Sequence, residues 1–116
     1  MTDQPPSSPP ETVLHIAERR HWESAESSGE SYAMSTRGRT LAEEGFIHCS
    51  SDLDQVRTVL KAFYQDVPPS DLVLLTVSAA GLDVRLEPAD GRLFPHVYGP
   101  IPLSAVIEVR PVPDTR

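Results

Sequence analysis

The sequence predicts a small single-domain α+β fold, with a curved or split, mainly antiparallel sheet and two main helices. Three observations lead there. Short apolar runs with a period of two recur along the chain, two segments carry apolar residues at helical spacing, and 116 residues supply one modest core.

Met1 to Glu11 holds four of the twelve prolines, two serines and almost no apolar side chain. Residues 1–12 therefore read as a disordered tail, 13–112 as the domain and 113–116 as a C-terminal tail. Val13 to Ala17 reads as a strand. Glu18 to Ser28 is helix-compatible, with Trp22 and Ala25 three apart and Gly29 as its stop. Glu30 to Arg39 is polar and reads as a loop. Thr40 and Glu43 have capping-box spacing, so a very short helix precedes Gly45, and Phe46 to Ser50 follows as a strand.

Ser50 or Ser51 can cap a helix to about Gln65, in which Leu53, Val56, Leu60 and Phe63 recur at spacings of three and four. Asp66-Val-Pro-Pro-Ser70 breaks it. Leu72 to Val77 is an unbroken apolar run that fits a central strand. Asp83 to Glu87 alternates and reads as a strand, and Pro88 to Gly91 as a turn. With Pro95, Pro100 and Pro102 the next stretch should be irregular or edge-like, until Val106 to Pro111 forms the final strand.

Function is most constrained by three of the four histidines, which stand in short apolar pieces: Leu14-His15-Ile16, Ile47-His48-Cys49 and Pro95-His96-Val97. A buried imidazole costs free energy unless its nitrogens find partners. Alternation puts Leu14 and Ile16 opposite His15, Ile47 and Cys49 opposite Phe46, His48 and Ser50, and Val97 opposite His96 and Tyr98. Aliphatic faces would then make the core, and histidine faces would line a cleft. Tyr98 and His96 belong to a rigid, proline-flanked segment suited to a ligand wall. Glu87 is a carboxylate able to orient hydroxyls or support developing positive charge. Arg37 and Arg39, with Arg92 elsewhere, offer a local site for a small anion.

Composition excludes several classes. A net charge of −7 makes duplex DNA an unexpected partner. No stretch approaches a membrane span and the start lacks a signal peptide, so a cytoplasmic protein is expected. Oligomeric state is not legible. The single Cys49 excludes an internal disulfide. His15, His48 and His96 as zinc ligands form one alternative, but the spacing lacks a metal motif and no metal is expected. Cys49 as a nucleophile activated by His48 conflicts with alternation, so a buried, inert thiol is expected. His21, on a charged helix, reads as a solvated surface residue.

Leu14-His15-Ile16-Ala17, Trp22, Glu44-Gly45-Phe46-Ile47-His48-Cys49-Ser50, Leu72 to Leu75, Glu87 and Phe94-Pro95-His96-Val97-Tyr98-Gly99-Pro100 occur in order. In these the chain resembles the bacterial family catalogued as domain of unknown function 952. The tail and the Glu30 to Arg39 loop depart from the pattern, and neither is expected to touch the histidine pieces. That family resembles the ADP-ribosyltransferase fold, whose members bind NAD between two small antiparallel sheets. The resemblance implies that His15 holds the nicotinamide-side ribose and that His48 and Ser50 lie near nicotinamide and ribose, with Tyr98 stacking beside them. Glu87 or His96 would take the remaining polar position, and Arg37 and Arg39 would meet the pyrophosphate. NAD, as substrate, or an ADP-ribose-like nucleotide is the implied ligand, and cleavage of its nicotinamide–ribose bond the implied reaction. The competing class is a non-catalytic module that binds a small anion.

Overall fold

The computed structural model describes residues 11–89 and 91–113. The N-terminal tail expectation falls outside them except for Glu11 and Thr12, as does most of the C-terminal one. Two antiparallel three-stranded sheets and three α-helices make the domain, in the order β1 (Thr12–Glu18), α1 (Arg19–Ser28), α2 (Leu41–Glu44), β2 (Ile47–His48), α3 (Leu53–Phe63), β3 (Leu72–Ser78), β4 (Val84–Ala89), β5 (Arg92–Val97) and β6 (Val106–Arg110). The first sheet runs β1-β3-β6 and the second β2-β5-β4. Backbone bonds between Leu14 and Ser50, 2.8 and 2.7 Å, tie one sheet to the other.

β3 is central and covered on both faces, which explains its unbroken apolar run. Val73, Leu75 and Val77 face a core shared with Val13, Ala17, Trp22, Ile47, Cys49 and Val97. Leu72 and Leu74 face a second core with Ile16, Val56, Leu60 and Phe94. Helix α1 buries Trp22 and Ala25, and α3 buries Val56, Val59 and Leu60 on the other side. Gly29 and Gly45 end α1 and α2 in the left-handed region, at φ 74° and 87°, where a side chain would be strained. The capping box of Thr40 and Glu43 is present. No helix among the described residues is long and apolar enough to cross a membrane.

The structure corrects several expectations. Helix α3 is capped by Asp52, whose carboxylate accepts the Gln55 N–H at 2.9 Å, and it ends at Phe63. Phe63 is half exposed, and Val59 takes the buried place expected of it. Pro88 and Ala89 do not turn the chain but pair with Leu93 and Arg92. Arg92–Val97 is the central strand of the second sheet, despite Pro95. The Pro95 carbonyl accepts the Cys49 N–H at 2.9 Å. In a strand the N–H and C=O of one residue point the same way, so the donor that proline lacks falls where two-residue β2 has already ended.

His21 is only partly exposed and sits 3.5 Å from Glu18. The 30–39 loop does touch the histidines. Tyr32, almost fully buried in it, bonds His15, and the Ser35 hydroxyl accepts the His48 N–H at 3.3 Å.

Candidate functional site

His15 stands on the core face of β1, between Val13 and Ala17, rather than on a cleft face. It is 2% exposed. Its Nδ1 lies 2.7 Å from the His48 carbonyl and its Nε2 2.9 Å from the Tyr32 hydroxyl. A carbonyl only accepts, so Nδ1 carries the proton and Nε2 accepts from Tyr32. Burial lowers the imidazole to about 4 and keeps it neutral at neutral pH, and it pushes the Tyr32 phenol up. With both nitrogens satisfied inside the protein, His15 braces the backbone of His48.

His48 and His96 face each other across β2 and β5. His48 Nδ1 is 3.1 Å from His96 Nε2. His96 Nδ1 is 2.8 Å from Glu87 Oε1, which also accepts the Tyr98 hydroxyl. Phe46 stacks on His96, with centroids 4.0 Å apart and planes 12° from parallel, and Arg85 lies 4.1 Å over the Tyr98 ring. Tyr98 first and His96 second hold the Glu87 carboxyl below its ordinary value. Burial, then the neighbouring His96, lowers His48 to about 4. Among the described residues two buried side-chain polar atoms lack a partner, His48 Nε2 and Thr76 Oγ1.

A cavity of about 570 Å³ opens beside this row. His48, His96, Phe46 and Phe94 line it, as do Val59, Ala62 and Phe63 of α3; Arg37, Arg39 and Glu44 line it from the segment between α1 and β2. The size and the apolar walls with few polar groups suit a small-molecule site. Arg37 adopts a left-handed backbone, φ 49°, uncommon without glycine. It is held by its N–H to the Tyr64 hydroxyl at 3.1 Å and by its guanidinium to Asp66, 2.6 Å, and to the Phe63 carbonyl, 2.7 Å. Arg39 pairs with Glu44 at 3.2 Å.

The structure thus gathers His48, His96, Arg37 and Arg39 at one cavity. His15 and Ser50 lie beneath it, lining a pocket of about 10 Å³ that His48 shares. Glu87 and Tyr98 stand behind His96, not on the cavity wall. Cys49 is buried on the core side with Ile47, and burial pushes its thiol up, so it is inert. Arg92 is engaged with Asp54 on α3. No group of three or more His, Cys, Asp or Glu among the described residues is arranged to hold a metal ion. Sequence reasoning missed Phe63 and Glu44 as lining residues; it placed Phe46 on the His48 face and Phe94 in the ligand-wall segment without giving either a role. Phe63 gave one signal, a large apolar side chain at the frayed end of a helix face.

Residues 16–109 match the profile described as "Protein of unknown function (DUF952)". The chain belongs to the DUF952 family. The chain is similar to the crystal structure of protein CC0527 from Caulobacter crescentus, 29% identical, with a TM-score of 0.70 over 86% of this chain and 84% of that one. A double mutant of that protein matches equally. No curated protein matches. The two antiparallel three-stranded sheets with few helices are the fold of this DUF952 domain.

Proposed function

We propose that this DUF952 domain binds an NAD- or ADP-ribose-like nucleotide in the 570 Å³ cavity and acts on it there, in the manner of a small ADP-ribosyltransferase-like enzyme. The observation that carries the reading is His48: a neutral, half-buried imidazole with a partnerless Nε2, on the wall of a cavity that aromatic rings and two arginines also line. Planar bases stack on such faces, and guanidinium groups suit phosphate oxygens. Two separate three-stranded sheets beside a cleft are also what the ADP-ribosyltransferase resemblance implies.

In this reading His48 is the group that exchanges a proton with the ligand, and His15 keeps its backbone in place. Glu44 is the cavity's carboxylate and takes the role expected of Glu87 in supporting positive charge on a ribose ring.

The non-catalytic module is the second reading, and one observation favours it: the Glu44 carboxylate is already paired with Arg39. Titration calorimetry with NAD, ADP-ribose and AMP, followed by an assay for released nicotinamide, tests both. Binding with turnover that is lost in His48→Ala supports the enzyme. Binding without turnover supports the module, and no binding at millimolar concentration removes both.

A further inference from the structure

With His48 neutral, the row of hydrogen bonds ending at it admits two proton arrangements. An ionised Glu87 is acceptor-only, so His96 Nδ1 carries a proton in either. If His96 is neutral, its Nε2 is bare and accepts from His48 Nδ1–H, leaving His48 Nε2 a bare lone pair. If His96 holds protons on both nitrogens, it donates to His48 Nδ1, and His48 carries its proton on Nε2.

We propose that Glu87, His96 and His48 form a proton relay, in which a proton taken up at His48 Nε2 leaves its positive charge on His96 beside Glu87. The transfer balances. An O–H or N–H of a ligand breaks and an N–H forms at His48 Nε2; the N–H at His48 Nδ1 breaks and one forms at His96 Nε2. His48 is neutral before and after. The relay therefore serves a ligand with an ionisable hydroxyl or amine, or an attacking water, and it holds whichever molecule fills the cavity.

The geometry answers an objection to His48 as a base. Charged in place, His48 would meet a buried wall and the charge of His96, which is why it is held near 4. The relay moves the charge to a ring 2.8 Å from a carboxylate. Phe46, stacked on His96, excludes water from that face. The charged and titratable groups facing the pair are few. They are Glu87 and Arg85 from β4, Tyr98 beyond β5, His15 from β1 through the His48 carbonyl, and Arg37, Arg39 and Glu44 around the cavity. Helix α3 presents Val59, Ala62 and Phe63 there. Nε2 has no partner and almost no exposed surface, so a ligand group or a solvent proton reaches it when the ring or a cavity side chain shifts.

In this scheme His48 is the catalytic acid–base group, and His96 and Glu87 position its proton. Long-range proton–nitrogen correlation spectra of histidine-labelled protein, recorded from pH 9 to pH 5, test it without a ligand. The expected result is a tautomer switch: His48 protonated only on Nδ1 at high pH and only on Nε2 at low pH, while His96 becomes doubly protonated. Glu87→Gln, which takes the carboxylate from His96 Nδ1, should leave His48 without the tautomer switch over this range. A His48 ring that keeps its Nε2 proton throughout, or that becomes the doubly protonated ring, overturns the relay. An unchanged tautomer switch in Glu87→Gln does so as well. The wild-type spectra decide alone if that variant does not fold.

Discussion

His15 shows how a chemically suggestive residue becomes structural once both its nitrogens are spoken for. Removing the ring in His15→Ala leaves the Tyr32 hydroxyl and the His48 carbonyl without their partner in the interior. We expect a loss of about 2–4 kcal/mol in urea unfolding. Tyr32→Phe removes one of the two bonds, and about 1–3 kcal/mol is expected. The same residue sets a pH dependence. In the unfolded chain His15 titrates at its ordinary 6.5, and in the fold at about 4, so the unfolded state takes up its proton first as pH falls. Its contribution is complete above pH 6.5, declines from 6.5 to 4 and is then exhausted, a span of about 3 kcal/mol. Urea midpoints that stay constant from pH 7 to pH 5 would contradict this. That His15, His48 and His96 stand in strands opposite aliphatic neighbours was legible in the sequence, because period two is a local property. Which face of β1 would be covered was not, because α3 and the second sheet cover both.

At the scale of elements, Gln55 ties α3 to the second sheet, beside the Arg92–Asp54 pair and the shared core. The Gln55 amide donates to the Leu93 carbonyl at 2.9 Å while its oxygen accepts the Ser51 N–H at 2.7 Å. Asp52→Ala should cost about 1 kcal/mol as a lost cap. Gln55→Ala should cost about 2–3 kcal/mol, since two partly buried backbone groups lose partners and a buried side chain leaves a cavity. Equal thermal shifts in the two variants would show that the clamp adds nothing to the cap. Helix and strand positions were readable from spacing, but the strand nature of Arg92–Val97 was not. Proline argues against a central strand wherever its missing donor would face a partner. Here the partner strand is two residues long and ends before it matters.

At the scale of the whole molecule, the two sheets communicate through the Leu14–Ser50 backbone pair and the core behind it. Ser50→Pro deletes the N–H that reaches Leu14 and is expected to destabilise the domain by about 3 kcal/mol or more, while Ser50→Ala keeps the backbone pair and should stay within about 1 kcal/mol of wild type. Calorimetric melting of both variants checks it, and similar curves would show that the pair is dispensable. By itself the sequence determined the α+β class, the separate pairing of His48 and Cys49 with opposite faces, the inert thiol and the family. These follow from local periodicity and from residue strings. Only the tertiary structure decided that His15 is a brace, that Glu87 and Tyr98 stand behind His96, and that aromatic and α3 side chains close the cavity. Those outcomes depend on the register of β4 on β5 and on which sheet face each helix covers. Long-range packing sets both, and neither leaves a mark on local spacing.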